Sequence, residues 1–171
     1  KNINFNENII IFHLDEKWLN TSLSAADLND LILKISKSIE SKIILTEGVD
    51  ETDYNRYISN KYSFKEIDNK NFNILVSSNK EMKNIAMVKN LDIEKLIVIS
   101  ANASLIITNH GSLTHISSLN DIPVVDLIPK KKKAFLNKYY PKSTYNKQIV
   151  LTDIKNLFNQ VKTFWDDIDK N

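Results

Sequence analysis

The sequence predicts an α/β domain built on a doubly wound, mainly parallel sheet with helices on both faces. Short, continuous apolar runs rich in Ile and Val, typical of strands buried on both faces, alternate along the chain with segments of helical period. The chain has only two glycines, and each follows such a run at the point where a strand would turn into the next element. Alternation of this kind is the pattern of a parallel sheet wrapped by helices.

The first half of the chain predicts the order strand, helix, strand, helix. Residues 8–14, NIIIFHL, form a short Ile-rich run that predicts a buried strand. A helix follows, because Ser24 and Asp27 have the spacing of a capping box and the apolar residues after them fall on one helical stripe. Residues 42–48 repeat the strand pattern, and the acidic segment 50–61 predicts a second helix.

The alternation of predicted strands and helices is less regular at the start of the second half of the chain. Residues 72–78 and 84–91 could each form a strand, and only one of them needs to belong to the main sheet. Residues 92–103 contain the β-branched residues of a strand, but a capping Asp92 and apolar residues at helical spacing favour a helix. The remaining predicted elements are a strand at 104–108, a helix at 113–120, a strand at 123–128, and an amphipathic helix from Thr152 to Ile168.

Length and composition narrow the class of protein. The 171 residues suit one domain, spanning 1–171, that buries a core without disulfides or metal. The net charge of +2 gives no general field that would attract nucleic acid, so we expect no nucleic-acid partner. The absence of Cys excludes a disulfide framework and fits the reducing cytoplasm. With no membrane-spanning run and no signal peptide evident, we expect a soluble chain, and its start at Lys1 fits a piece of something longer.

The segment 107–118, ITNHGSLTHISS, is the main candidate for a ligand site. Open parallel sheets bind ligands at the carboxyl ends of their strands, and Gly48 and Gly111 both fall there. Since the turn at Gly111 runs straight into a predicted helix, the amides of Ser112 to Thr114 would point outward and favour an anion. Taken alone, the segment fits a simple turn at least as well, with Ser112 as the N-cap and His115 half-buried.

Other kinds of site fit the sequence poorly. His110 and His115 are five residues apart with no third ligand evident, so we expect no metal site. The chain contains no G-x-S-x-G hydrolase elbow, no G-x-G-x-x-G dinucleotide motif and no Walker A loop. Lys17, just after the first strand, is a further candidate for a phosphate contact.

A long basic and aromatic connection, residues 129–148, precedes the last predicted helix. Its four consecutive lysines, Lys130 to Lys133, fit an ordinary solvated loop. They also fit a loop beside a phosphate site, or a peripheral contact with an anionic membrane such as the bacterial inner membrane. These alternatives stay open from the sequence.

In residues 104–128 the sequence resembles the C-terminal, nucleotide-sugar-binding domain of the heptosyltransferase-like GT-B glycosyltransferases. Members carry a strand, then D-[ST]-G-x-x-H-[LI]-[AT]-A-A, and later P-V-x-x-L. The matching residues here are His115 for the family histidine, Leu113 and Thr114 before it, Ile116, Ser117 and Ser118 after it, and Pro123 opening the next strand. The order of elements matches over roughly the whole chain, with Lys17-Trp18 where members carry K-x-W or K-R-W and His13 where they carry H-P-G.

The sequence departs from the family pattern at several of these positions. His110 stands where members have an acidic residue, and Ser112 stands where they have glycine, which here has moved one place back to Gly111. The H-P-G motif becomes His13-Leu14-Asp15, and the segment before Lys17 is shorter. Because of these departures, we do not transfer a heptose donor to this chain.

The resemblance implies the donor half of an inverting, metal-independent glycosyltransferase that uses a nucleotide-diphosphate sugar and acts in bacterial surface polysaccharide or lipopolysaccharide assembly. The implied donor-binding residues are His13, Lys17, Gly48, Asn109, His110, Gly111, Ser112, Leu113, Thr114 and His115. The helix N-terminus and Lys17 would stabilise the leaving diphosphate in place of a metal, and a protonated His110 would add a donor.

The resemblance also implies a partner. In GT-B enzymes the acceptor site and the usual catalytic base lie in an N-terminal domain, which we expect this chain to lack, so we assign no catalytic residue and expect donor binding without turnover. Two alternatives remain: a non-catalytic α/β binding or partner module with the same fold, and a sugar epimerase of the same two-domain build.

Overall fold

The computed structural model describes residues 8–48, 50–67, 71–79, 82–141 and 145–168. These residues form one eight-stranded sheet. The strands are β1 Ile9–Leu14, β2 Lys42–Glu47, β3 Phe64–Ile67, β4 Asn73–Ser77, β5 Ile85–Lys89, β6 Leu105–Asn109, β7 Val124–Ile128 and β8 Asn146–Val150. Their order in the sheet is β3-β4-β5-β2-β1-β6-β7-β8. The strands from β5 to β8 in this order are parallel, and an antiparallel hairpin of β3 and β4 extends the edge beside β5.

Helices cover both faces of the sheet. The helices are α1 Ala25–Ser38, α2 Asp53–Tyr62, α3 Ile93–Ser100, α4 Ser112–Leu119, α5 Lys133–Leu136 and α6 Ile154–Ile168, with short 3-10 helices at Glu16–Asn20 and Lys130–Lys132. Apolar residues of α1, α2 and α6 form the larger core on one face, whereas α3 and α4 pack on the other. The predicted doubly wound α/β class, with helices on both faces, is therefore confirmed.

Strand β1 occupies the centre of the sheet because its side chains are apolar on both faces. Phe12 and Leu14 point into the larger core, and Ile9 and Ile11 point into the smaller one. Helix α1 follows, and it begins as the sequence predicted, with the Ser24 hydroxyl accepting from the Asp27 amide at 3.1 Å in a complete capping box.

The winding direction reverses at β1. From β1 the chain moves through β2 to β5 on one side, and it then crosses over to place β6, β7 and β8 on the other. The loops that leave β1 and β6 therefore diverge, which opens a crevice at the carboxyl ends of these two strands, where doubly wound sheets bind ligands.

The open question at residues 72–78 and 84–91 is resolved by both segments joining the same sheet, as β4 and β5. β3 and β8 were not predicted from the sequence. Both lie at sheet edges. Three of the four residues of FKEI are exposed, and NKQIV begins with three polar residues and buries only one residue, so the apolar signal of a strand buried on both faces is absent. The basic connection 129–148 thus contains α5 and part of β8, while its residues 142–144 lie outside the described residues.

Candidate functional site

The carboxyl ends of β1 and β2, together with the N-terminus of α4, border an open cleft of about 170 Å³. Its polar lining in the described residues consists of His13, Asp15, Glu16, Lys17, Glu47 and Ser112, with Gly48 between them. Apolar side chains of α3 and of the turn before it close one side. The cleft therefore combines one ammonium with three carboxylates.

Lys17 is positioned by the residue that caps the 3-10 helix after β1. Asp15 accepts from the Lys17 backbone amide with one carboxylate oxygen, at 3.2 Å, and from the Lys17 ammonium with the other, at 3.0 Å. The Asp15 side chain is 5% exposed, whereas that of Lys17 is 43% exposed. Asp15 therefore fixes the direction of the lysine and leaves the ammonium at the surface of the cleft.

The Lys17 ammonium lies against Gly111, in the space that a Cβ at residue 111 would fill. Gly111 is the N-cap of α4, so Ser112 is the first helical residue and its interpretation as the cap was wrong. Gly111 donates its amide to the Thr114 hydroxyl at 3.3 Å, and the Thr114 amide donates to the Gly111 carbonyl at 3.1 Å.

These bonds reduce the predicted set of free amides at the helix N-terminus. Thr114 is fully buried and its amide is engaged, which corrects the expectation that it points outward. Among the described residues, no acceptor meets the amides of Ser112 and Leu113. A helix N-terminus with two free amides beside an ammonium attracts an anion.

Because Gly48 has no side chain, atoms of the neighbouring segment after β1 can approach its backbone closely. A Cβ there would lie 3.0 Å from the Cα of Asp15 and 2.9 Å from a carboxylate oxygen of Glu16. Neither glycine has a positive φ, so both residues are needed for close approach and not for an unusual backbone conformation. Gly48 thus sets the distance between the ends of β1 and β2.

His13 lines the cleft but is largely buried, and Trp18 is fully buried beside it. His13 is 8% exposed, and its Nδ1 lies 2.9 Å from the Thr46 hydroxyl. Desolvation lowers the pKa of His13, which favours the neutral ring. The Trp18 indole donates to the His13 carbonyl at 2.8 Å and packs on Phe12.

Asn109 is an internal bridge. It is 2% exposed, and with its amide group oriented to satisfy both neighbours it donates to the Leu127 carbonyl at 2.8 Å and accepts from the Trp18 indole at 3.3 Å. Its side chain therefore connects β6, β7 and the segment after β1, and it holds Trp18 from behind the site.

His110 contacts a carboxylate that the sequence analysis did not single out. Its Nδ1 lies 2.7 Å from a carboxylate oxygen of Asp126, in the middle of β7, and the Asp126 side chain is fully buried. Burial raises the pKa of Asp126 to about 6, while His110, Gln148 and Thr114 lower it. The only signal in the sequence was one acid inside the apolar run PVVDLI.

Aromatic rings surround this pair. His115 meets the His110 ring edge-on, with centroids 5.4 Å apart, and Tyr140 of the basic connection lies at 6.5 Å. Burial raises the pKa of Tyr140, with a further contribution from Asp126. His115 is exposed, in contrast to the half-buried position expected for it.

The predicted site residues therefore fall into two groups on either side of Gly111. His13, Lys17, Gly48 and Ser112 border the cleft on the β1 side. His110 and His115 lie on the β7 side with Asp126, since β6 separates β1 from β7. In the described residues no group of three acidic or histidine side chains is arranged to hold a metal ion, and no helix combines the length and apolar character that a bilayer crossing requires.

Several proteins of known structure superpose on this chain at low sequence identity. No family model and no curated protein matches the sequence. A putative UDP-N-acetylglucosamine 2-epimerase from Listeria monocytogenes superposes with a TM-score of 0.64 at 13% identity, over 97% of this chain and 38% of that one. The UDP-GlcNAc 2-epimerase from Neisseria meningitidis bound to UDP-GlcNAc gives 0.63 at 12%, over 97% and 40%. The E. coli ADP-heptose lps heptosyltransferase II gives 0.60 at 12%, over 95% and 48%.

The fold is the Rossmann-like half of a GT-B fold. The expected Rossmann-like GT-B architecture is thereby confirmed, but epimerases and heptosyltransferases match it equally, so the fold does not select the heptosyltransferase family. The chain spans less than half the length of each of these three proteins. At such identities the GT-B likeness concerns the fold, and function depends on the residues of the site.

Proposed function

We propose that this chain is the nucleotide-diphosphate-sugar-binding domain of a GT-B protein, and specifically the donor half of a glycosyltransferase. The observation that carries the proposal is the Lys17 ammonium, held by Asp15 against Gly111 at the N-terminus of α4. This arrangement stands beside the crevice where the winding of the sheet reverses.

The diphosphate is proposed to bind at the turn between Gly111 and Leu113. There the free amides of Ser112 and Leu113 and the Lys17 ammonium can share its negative charge. Binding from this side keeps the diphosphate away from Asp15, whose carboxylate is buried and already paired.

Glu47 suits a different part of the donor. It ends β2 and lines the cleft, and an acid at this position of a doubly wound sheet commonly accepts from ribose hydroxyls. Its ion pair with Lys89, at 3.1 Å, holds the carboxylate in place. We propose Glu47 as the hydroxyl acceptor for the nucleoside.

The proposed reaction is an inverting transfer without a metal. The acceptor hydroxyl forms a bond to the anomeric carbon as the bond from that carbon to the diphosphate breaks, and the hydroxyl proton passes to a base outside this chain. Lys17 and the α4 N-terminus stabilise the charge that develops on the leaving nucleoside diphosphate. The proposed acceptors belong to bacterial surface polysaccharide or lipopolysaccharide, a class supported by the name of the E. coli heptosyltransferase.

The acceptor site and base are proposed to lie in an N-terminal partner domain, so this chain alone binds the donor without turnover. We place the protein in the cytoplasm, where nucleotide sugars are the available donors, and we propose a peripheral contact with the inner membrane through Lys130 to Lys133. No nucleic-acid partner is proposed.

An epimerase domain is the second candidate, because two of the three structures compared above are UDP-GlcNAc 2-epimerases. Both candidates require sugar-nucleotide binding at the same turn. A non-catalytic binding module with this fold would lack that binding, and the His110 substitution supports this third alternative.

The test is a titration of the chain with ADP-, GDP-, UDP- and CDP-linked sugars, followed by NMR at the amides of residues 109 to 115. We expect shifts at Ser112 and Leu113, and we expect Lys17→Gln to weaken binding about tenfold, as for loss of one charge-assisted contact. Lys162→Gln is the matched control, since Lys162 also pairs with an aspartate but lies on α6. No shift at millimolar ligand would favour the binding module.

A further inference from the structure

We propose that His110 and Asp126 form a proton-coupled anion site, in which an imidazolium supported by Asp126 is the second cation at the Gly111 turn and binding of the donor diphosphate adds one proton to the pair. The inference rests on the proposed function, since the ligand is the same diphosphate. It assigns a role to Asp126 and explains a histidine where an acidic residue was expected.

The geometry shows which nitrogen of His110 is engaged by Asp126 and which is available to a ligand. His110 Nδ1 lies 2.7 Å from Asp126 Oδ2, and since an ionised carboxylate only accepts, Nδ1 is the donor. The other ring nitrogen of His110 is Nε2, and no described residue forms a hydrogen bond with it. The His110 side chain is 12% exposed and Asp126 is fully buried. The pair therefore has one ring nitrogen, Nε2, without a hydrogen-bond partner among the described residues.

The buried carboxylate needs this partner. Asp126 Oδ1 has no hydrogen-bond partner among the described residues, although Gln148 and Thr114 lie near the carboxyl group. A buried ionised carboxylate with one open oxygen is costly, and an adjacent imidazolium offsets much of that cost. Asp126 thus supplies the buried counter-charge that an imidazolium at residue 110 needs.

The charge of the pair decides whether an anion is attracted. With neutral His110 the pair carries the negative charge of Asp126, and with the imidazolium it is neutral and presents an N–H donor. In the described part of the chain, the other titratable groups that face His110 are His115 on α4 and Tyr140 from the basic connection. Burial raises the pKa of Tyr140, so it stays protonated at neutral pH. A bound diphosphate therefore stabilises the protonated pair, and affinity falls as pH rises.

The location matches the proposed diphosphate position. His110 immediately precedes Gly111, and Lys17 lies against Gly111 from the β1 side, whereas Asp126 lies in β7 on the other side of β6. A diphosphate on the amides of Ser112 and Leu113 would thus have one cation on each side. His110 is therefore the group at this turn to which we assign the pH dependence.

The test is calorimetry of the full chain with the nucleotide-diphosphate sugar that binds in the NMR titration, from pH 6 to pH 8, in buffers of different ionisation enthalpy. The diphosphate of such a ligand is a diester, so the ligand itself does not titrate in this range. We expect affinity to fall about tenfold across the range, with proton uptake on binding. His110→Gln should lose both effects and Asp126→Asn should reduce them, whereas Asp166→Asn on α6, which removes an aspartate that pairs with Lys162, should keep them.

The outcomes separate this inference from the proposed function. Binding by the wild type with no pH dependence, or a dependence that His110→Gln retains, would overturn the inference and leave the proposed function standing. Absence of binding to any of the sugar nucleotides would overturn both. A second readout needs no variant: the NMR titration midpoint of His110 in the wild type should rise when ligand is bound, and an unchanged midpoint would also overturn the inference.

Discussion

The ammonium of Lys17 and the Cα of Gly111 are in such close contact that a Cβ on residue 111 would overlap the nitrogen, with the Lys17 Cε at 3.6 Å from the same position. The contact joins the segment after β1 to the turn after β6 across the point where the sheet reverses direction. Gly111 has an extended backbone, with φ of −172°, so any residue could adopt its conformation. The glycine is therefore needed for the position of the lysine.

Gly111→Ala should weaken sugar-nucleotide binding while leaving the stability of the fold nearly unchanged. The methyl group would displace only the end of a flexible lysine side chain, so we expect the free energy of unfolding to change by less than about 1 kcal/mol. The displaced ammonium would no longer support a diphosphate, and sugar-nucleotide affinity should fall about tenfold. Urea unfolding and calorimetry measure the two quantities.

Gly48→Ala provides the contrasting control. Its methyl group would meet the Asp15 backbone at 3.0 Å, which cannot move without shifting the 3-10 helix, so this variant should lose about 1–3 kcal/mol of stability. If the two alanine variants lost the same stability, the assignment of the Gly111 contact to a flexible side chain would be wrong.

Asn109→Ala should destabilise the fold, because Asn109 is buried beside the site and bonds to two neighbouring segments. The substitution removes the bridge between the Leu127 carbonyl and the Trp18 indole and leaves a buried acceptor without its donor, at a cost of about 1–3 kcal/mol. Asn120→Ala is the matched control, because Asn120 bonds the Ile116 carbonyl at 2.8 Å on the exposed surface and should cost less than about 0.5 kcal/mol. Equal effects in urea unfolding would contradict the bridging role of Asn109.

The fold class and the central elements could be predicted from the sequence because burial on both faces leaves a direct mark. β1 is an unbroken Ile-rich run for this reason, and α1 carries its own start signal in Ser24 and Asp27. β3 and β8 could not be predicted in the same way. Edge strands contain more polar residues, and β3 and β8 join the sheet through backbone pairing with β4 and β7.

The candidate site was only partly predictable, for a related reason. The turn at Gly111 and Lys17 could be singled out from their positions after strands. Asp126 could not, since its partner His110 is 16 residues away and the contact depends on β6 and β7 being neighbours. The role of Gly48 depends likewise on the approach of Asp15, which the sequence does not show.

Because of Asp126, the free energy of unfolding should be larger at acidic pH than at neutral pH. Its pKa is raised to about 6 in the folded protein, mainly by burial, so the folded state binds a proton more tightly than the unfolded state does. The stabilising proton is fully present below the unfolded pKa of about 4 and is lost as pH rises through about 6. Stability relative to Asp126→Asn should therefore be about 2 kcal/mol higher at pH 4.5 than at pH 7.5.

Urea unfolding of both proteins at these two pH values checks this prediction, and the comparison cancels groups that titrate alike in the two. A difference that grows with pH would contradict the raised pKa and would indicate that the pairing with His110 outweighs the desolvation of the carboxylate.

The basic connection is suited to an anionic surface by more than its charge. Residues 129–148 contain seven lysines and no acidic residue. Phe135 and Tyr139 beside the lysines are 61% and 58% exposed, with ring centroids 5.1 Å apart. Exposed aromatic rings among lysines can enter the interfacial region of a bilayer while the ammonium groups remain at the headgroups.

Replacement of Lys130 to Lys133 by glutamine should therefore abolish binding to anionic vesicles. Each lysine near such a surface contributes about 1 kcal/mol, so the fourfold variant should lose at least about 100-fold in affinity for vesicles rich in phosphatidylserine or phosphatidylglycerol. Phe135→Ser should weaken binding further at high salt, where the apolar contact remains and the ionic one is screened. A fourfold replacement of the exposed lysines Lys34, Lys37, Lys61 and Lys83 is the charge-matched control, and co-sedimentation is the measurement. If both fourfold variants lost the same affinity, the attraction would depend on net charge, and the connection would be an ordinary solvated loop.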